Sequence, residues 1–504
     1  MTTLTARPDI TTTAPAGRAR TTGVAAPFAA IVLAMLPAVL DQTILATALP
    51  TIAADLGGLS NLSWVVTAYV VAAAASTPLW GKLGDRLGRK KLLQISLSVF
   101  VASSALCGAA QDIAQLVGLR FVQGAAAGGL MTLAMAAVGD LVSPRERGRY
   151  QGYIAATFAV ATIVGPLLGG VLVDHASWRW VFFVNLPVGI AALIGLSLRL
   201  PAPRVERPQH RLDASGAALL AAATSALMLT CIWGGDRYAW DSAPILGLIA
   251  ATVALAGALV VRERHAADPI VPFHLLRTPA VAVASSAMFL GTAALFAVIV
   301  FVPLFLQTTT GASSTEAGLL LVPAMLGITV STTLSGRSMA RSGRYKRFPI
   351  MGLALMTAAL VLLGVLADDP SRLATAIGLA LFGLGFGMVT QILIVAVQNS
   401  VDRRELGIAT ATTGFFRALG GAVGAAVLGA VFAAQAGAGT DGAAGPHGLD
   451  AAGRADVIDA VQSVFFVTTP LAALALLIVL RLPELPLRTH GALVPARSDS
   501  TKES

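Results

Sequence analysis

Apolar runs of about 18 to 27 residues recur from one end of the chain to the other, each long enough to cross a hydrocarbon core of roughly 30 Å as an α-helix. Inside a bilayer only helices and closed barrels satisfy their own backbone hydrogen bonds, and runs near ten residues, the unit of a barrel strand, are not the unit here. Of the 504 residues 56% are hydrophobic and 12% charged, whereas a soluble domain carries roughly a quarter charged. The expected fold class is therefore an all-α membrane protein. Fourteen transmembrane helices are predicted, at 27–47, 62–80, 92–110, 113–138, 150–173, 180–199, 214–233, 244–261, 280–306, 315–336, 348–366, 373–397, 407–433 and 460–481.

A net charge of +9 raises the question of a nucleic-acid partner. The placement of the charge answers it: about 29 of the 35 basic residues fall in alternate short loops and the two termini, the pattern that marks the cytoplasmic side. The expected partners are a lipid bilayer and not nucleic acid, with both termini cytoplasmic. Residues 1–26 read as a disordered cytoplasmic tail, since the apolar run behind them is too long for a signal-peptide core. Residues 482–504, polar and poor in hydrophobes, are read the same way. Arg-dominated basic residues and abundant Ala and Gly point to a GC-rich bacterial genome, hence to a bacterial cell (inner) membrane.

Cys107 and Cys231 lie in separate predicted spans and read as small buried hydrophobes. The six histidines sit in loops or tails without a second ligand at metal spacing, so no metal is expected. Gly81-Lys82 lacks the glycine spacing and the following Ser or Thr of a phosphate-binding loop, so no nucleotide or other cofactor is expected. An ion gradient, or the substrate's own gradient, is left as the energy source.

An internal repeat organises the spans. Asp140-Leu-Val-Ser-Pro-Arg-Glu-Arg-Gly148 lines up with Asn399-Ser-Val-Asp-Arg-Arg-Glu-Leu-Gly407, and at the same offset Gly165 and Gly170 fall on Gly424 and Gly429. The fourth and fifth spans thus pair with the twelfth and thirteenth. The predicted architecture is two six-helix pseudo-repeat bundles, 27–199 and 280–481, with a linker and two inserted helices in 200–279.

Between the second and third spans stands Gly81-Lys-Leu-Gly-Asp-Arg-Leu-Gly-Arg-Lys-Lys91, where Gly81, Gly84 and Gly88 allow a tight turn and Asp85 sits among Arg86, Arg89 and other basic residues. This stretch closely resembles the signature loop of the major facilitator superfamily. Leu40-Asp-Gln-Thr-Ile-Leu-Ala-Thr-Ala-Leu-Pro50 resembles the first-helix motif of its drug:proton antiporters, Arg120 with Gln123 and Gly124 a fourth-helix motif, and Gly165-Pro166-Leu-Leu-Gly169-Gly170 the antiporter motif of the fifth. Trp178-Arg179-Trp-Val-Phe-Phe-Val-Asn185-Leu-Pro187-Val-Gly, Phe305-Leu-Gln307-Thr-Thr-Thr-Gly and Arg417-Ala-Leu-Gly-Gly421 are similar to the fourteen-span branch. Two departures stand out: Ala161 replaces the usual first glycine of the antiporter motif, and the second-half loop Gly336–Phe348 has no Asp.

The resemblance implies a proton-coupled antiporter that exports amphipathic or lipophilic small molecules, as in multidrug or antibiotic efflux; the sequence does not fix the oligomeric state, and a monomer is the expectation. Export of one dedicated metabolite is the alternative; a membrane-embedded enzyme or receptor is opposed by the lack of catalytic clusters within spans and of a folded loop domain. The resemblance further implies that Arg89 bridges Asp85 to Asp140. Asp85 itself is expected near Glu405–Gly407, where a helix N-terminus favours negative charge. On residues alone, Gly165, Gly169 and Gly170 are expected to let a neighbouring helix approach closely beside the bend at Pro166.

Depth singles out one pair. Asp41 lies about 14 residues, roughly 21 Å, up the first span, and Arg120 about 7 residues, roughly 10 Å, down the fourth from the other side, so the two reach one level in the bilayer. If both helices face the cavity they share a pocket in which a cationic or polar substrate and a proton compete for one carboxylate. An ion pair that only orients the two helices is the competing reading.

Overall fold

The computed structural model describes residues 23–56, 62–201, 213–235, 237–266, 269, 273–310, 321–366, 372–435 and 451–487. Six helices form the first bundle: α1 (Ala25–Leu56), α2 (Leu62–Leu87), α3 (Arg89–Gly108), α4 (Ile113–Leu141), α5 (Pro144–His175) and α6 (Trp180–Arg199), the last broken by a turn at Val184. A hairpin of α7 (Ala214–Trp233) and α8 (Ala243–His265) follows. The second bundle comprises α9 (Pro279–Thr310), α10 (Val322–Ser342), α11 (Arg347–Val365), α12 (Arg372–Ser400), α13 (Leu406–Gln435) and α14 (Ala451–Val479). Among the described residues there is no strand, only an isolated bridge between Gly234 and Tyr238.

Thirteen of these helices are long and apolar enough to cross a membrane, so the chain is a multi-pass membrane protein. The remaining expected span, 315–336, falls partly on α10 and partly on residues outside the described ones. The described α10 is rich in Ser and Thr, with Arg337 and Arg341 near its end, and does not reach the apolarity of the others.

Helices run past the apolar runs that predict them, because hydropathy marks only the hydrocarbon layer while helix geometry continues into the interface. α1 extends to Leu56, nine residues beyond the expected end. The last helix begins before its expected start at 460: residues 451–459 are already helical, consistent with the high helix propensity of Ala, while 436–450 lie outside the described residues. The expected disordered tail is likewise corrected at its start. Leu482 is buried, the Tyr345 hydroxyl donates to Pro483 O (2.6 Å) and accepts from Leu485 N (2.9 Å), and Asn399 Nδ2 donates to Pro486 O (3.2 Å). Leucines among the prolines give this segment apolar surface to bury.

One continuous apolar core fills the second bundle, whereas the first has two, at different depths of α1. The inserted hairpin packs along the seam between bundles, with Met228 against Val71 and Ala74 of α2 and, nearby, Leu419 of α13. Its basic end is tied by Asp213, which caps α7 at Gly216 N (3.0 Å) and pairs with Arg262 of α8 (3.0 Å). The Arg262 guanidinium, aided by that backbone N–H, holds the Asp213 carboxyl down at about 2.

Candidate functional site

A cavity of about 1320 Å³ lies between the bundles. Its walls are mostly Ala, Val, Met, Phe and Thr from both bundles, and Gly234, Gly235 and Trp240 of the α7–α8 hairpin reach it at the end away from the basic loops. At the basic end the bundles meet backbone to backbone. A Cβ at Gly81 of α2 would lie 2.8 Å from Gly407 O of α13, and one at Gly148 of α5 would lie 2.7 Å from Gly336 Cα of α10. Only glycine permits this approach, so the cavity is closed there.

Charge is added to the first of these contacts. The Asp85 side chain is largely shielded from solvent, its Oδ1 accepting from Gly407 N (2.9 Å) and its Oδ2 from Ile408 N (2.8 Å) at the start of α13, where free N–H groups and the helix dipole favour an anion. Arg89 donates to Asp85 Oδ1 (2.7 Å) and is ion-paired with Asp140 at the end of α4. Gly88 (φ 92°) makes the turn that carries Arg89 back toward Asp85. Gly84 packs on Leu133, and Arg86 is only partly exposed beside this network.

Deep in the first bundle Asp41 and Arg120 form an ion pair of 2.5 Å, with both side chains removed from solvent. Asp41 Oδ1 also accepts from Gln123 Nε2 (2.9 Å) and Asn185 Nδ2 (3.2 Å). Arg120 donates to Gln123 Oε1 (2.9 Å) and to Val65 O (3.2 Å), and its guanidinium lies 4.2 Å from the centre of the Tyr69 ring. The two depths do coincide, but the expected placement on the cavity surface is not met. Neither Asp41 nor Arg120 lines the cavity; Gln42 and Tyr69 do, one layer in front. A cationic substrate therefore has no direct access to the Asp41 carboxylate in this conformation.

By sequence Asn185 stands out only as part of a branch motif, and Tyr69 not at all, yet both enclose the pair. An amide within an apolar span was the available signal for Asn185. Tyr69 gave none, because a lone tyrosine in a span is ordinary.

On its opposite face α1 meets α5. A Cβ at Gly165 would lie 2.7 Å from Thr43 Cβ, and one at Gly169 would lie 2.8 Å from Ile44 O. Ala161 is itself buried in this contact, its carbonyl 3.3 Å from the Thr43 hydroxyl. Gly170 departs from expectation: nothing lies within 4 Å of its Cβ position, since it falls one residue past the face that Gly165 and Gly169 share. The side chains of Pro166 and Gln307 lie outside the described residues.

The remaining motif residues fasten the ends of helices. Trp178 Nε1 donates to Asp55 Oδ2 (2.8 Å), and Arg179 donates to Gly108 O (3.1 Å) and Ala110 O (2.6 Å), stapling α6 to α1 and α3. Pro187 sits in the first turn after Val184, where a missing N–H costs nothing. Arg417 stands alone among them on the cavity wall. No group of three His, Cys, Asp or Glu that could hold a metal occurs among the described residues.

The family model described as Major Facilitator Superfamily matches residues 31–425. An uncharacterized MFS-type transporter of Mycobacterium tuberculosis is 40% identical over 80% of this chain, and the match spans 59% of that relative's length. The multidrug transporter protein MdtP of Bacillus subtilis is 36% identical over 81% of this chain and 75% of its own. Among solved structures, the human organic anion transporter MFSD10 superposes with a TM-score of 0.65 at 18% identity, covering 90% of this chain and 99% of that one. The proton:xylose symporter XylE gives 0.65 at 15%, covering 92% and 97%. The last two show likeness of fold.

Proposed function

We propose that this chain, which belongs to the Major Facilitator Superfamily, is a proton-coupled antiporter that exports amphipathic or lipophilic small molecules by alternating access. The observation that carries the reading is the buried Asp41–Arg120 pair, one side-chain layer behind a large, mostly apolar cavity that is closed at its basic end. The relatives named as multidrug transporters support the substrate class.

An ion pair buried in this way is stable only while both members are charged; neutralising one leaves the other uncompensated at a cost of several kcal/mol. A proton reaching Asp41 would release Arg120, which already leans on the Tyr69 ring at the cavity wall. Because α1 is gripped on its other face by the Gly165 and Gly169 surface of α5, a change at Asp41 shifts α1 as a unit rather than one side chain. The proton and the cargo then communicate through Tyr69 and α1, not by competing for one carboxylate. Asp85 and Arg89 act as a latch at the basic end that holds the cavity open to the opposite side until the shift arrives.

In this reading the protein resides in a bacterial cell membrane as a monomer with both termini cytoplasmic, and the basic end faces the cytoplasm. The test is a susceptibility panel on a drug-sensitive strain expressing the chain, with and without an uncoupler. Protection that the uncoupler abolishes is expected; protection indifferent to it removes proton coupling.

A further inference from the structure

Among the described residues lining the cavity, Arg417 is the single charged side chain, and no Asp or Glu faces it. It is the twelfth residue of α13, about 17 Å from the start of that helix and so near mid-membrane. The side chain is exposed to the cavity, and no ion pair or aromatic contact engages its guanidinium among the described residues. Arg120 at similar depth has a carboxylate, an amide and a ring around it. A charged residue within a span is costly and marks a functional site when it faces a cavity.

The surroundings leave the guanidinium free to receive a ligand. Gly414 and Gly421, one turn away on either side along the same face of α13, add no bulk, and neither does the adjacent Ala418. Across from Gly421 stand Phe296 and Thr292 of α9, 3.4 and 3.6 Å from where a Cβ would be. The Asp41 carboxylate cannot neutralise Arg417, being buried in the first bundle and already paired. Among the described residues the cavity wall thus carries one uncompensated positive charge in mostly apolar surroundings, which repels cations and attracts anions far more strongly than it would in water.

We propose that Arg417 is the recognition site for an oxyanion on the cargo, so that the preferred substrate is an amphipathic anion whose acidic group pairs with the guanidinium while its lipophilic body lies against the Ala, Met and Phe walls. Guanidinium groups bind carboxylate and phosphate in a two-point fork, which fixes orientation as well as charge. This inference deepens the export reading by replacing the expected cationic or polar cargo. It rests on that reading only in taking the cavity as the transport path.

The test is equilibrium binding to the full chain in nanodiscs, without any gradient, using 1-pyrenebutyrate, its uncharged amide and the matching butyl-trimethylammonium compound. Wild type is expected to bind the carboxylate roughly tenfold or more tighter than the amide, with the cation weakest. Arg417→Gln should erase the carboxylate preference while leaving amide affinity unchanged, and Arg417→Lys should keep the order with a smaller gap. The proposal is overturned if wild type binds the cation as tightly as the carboxylate, shows no saturable carboxylate binding, or keeps its preference in Arg417→Gln. The wild-type comparison does not depend on any variant folding. Since no gradient is used, loss of proton flux in vesicles would defeat the coupling reading and leave this one standing.

Discussion

The two bundles close the same end of the cavity with the same backbone device and different charges. In both, a hairpin turns at a glycine with positive φ, Gly88 (92°) and Gly343 (71°), and a glycine seven residues earlier, Gly81 or Gly336, lies against the other bundle. Where the first hairpin has Asp85, the second has Ala340, although Arg344 stands in the place of Arg89. The interiors differ likewise: the first bundle encloses Asp41 and Arg120, while the core of the second is a continuous apolar cluster. Close packing of glycines is thus common to both contacts, and the first adds the Asp85 carboxylate bound to the start of α13.

The largest effect that would break this comparison is expected in the first bundle's interior. Arg120→Ala strands Asp41 without a partner and should cost about 3–5 kcal/mol, whereas the double change Asp41→Asn with Arg120→Gln should cost less than that single one. Thermal unfolding of the purified variants reads the difference, and additive losses would mean the pair is not coupled.

The latch comes next. Asp85→Asn removes charge from hydrogen bonds to Gly407 and Ile408 and from the pair with Arg89, and should shift the equilibrium toward opening at the basic end by about 1.5–3 kcal/mol. Ala340→Asp should push the other way by a smaller amount. Distances between spin labels on the ends of α2 and α13 would report both, and equal populations in wild type and Asp85→Asn would remove the latch.

In the second hairpin, which has Ala340 in place of a carboxylate, the seal should depend chiefly on backbone contact. Gly148→Ala places a methyl 2.8 Å from Gly336 O and should cost about 1–3 kcal/mol of the closed state, while Gly170→Ala, with open space around it, should change nothing. The same spin-label distances, taken between α5 and α10, separate the two variants.

Smallest is the pH response of the inserted hairpin. The Asp213 carboxyl sits at about 2 against an ordinary value of 3.8, so its stabilising contribution is full above the ordinary value and is lost as the pH falls through about 2. Arg262 is nearly half exposed, which screens the pair and keeps the loss small. Asp213→Asn should flatten the acid limb of the unfolding profile between those values, and an unchanged limb would argue against the pair.

These contrasts also show what a sequence of this kind exposes. Span positions were readable because about twenty apolar residues in a row admit few other structures in a bilayer. The common depth of Asp41 and Arg120, and the contact of Asp85 with the start of α13, were readable because charge in such a context is rare and helix rise is fixed. The side of a helix that faces its neighbours was not readable. In lipid both faces are apolar, so periodicity carries little information, which is why Asp41 was expected on the cavity wall and lies behind it. For the same reason Gly170 could not be told from Gly169. Leu482–Leu487 looked like tail because local composition does not reveal a docking surface formed by Tyr345 and Asn399, far away in sequence.

The central claim, that the buried carboxylate of the first bundle carries the coupled proton, is tested most directly in proteoliposomes with an internal pH dye. Asp41→Asn removes the counter-charge of Arg120, as protonation would, at a cost in stability, but it is isosteric and keeps an oxygen acceptor, so flux is compared in variant protein that binds the cargo identified by the susceptibility panel. Wild type should show proton flux when that cargo is supplied and Asp41→Asn should show none. Cargo-driven proton flux at the wild-type rate in Asp41→Asn would contradict the account and leave the pair a strut between α1 and α4.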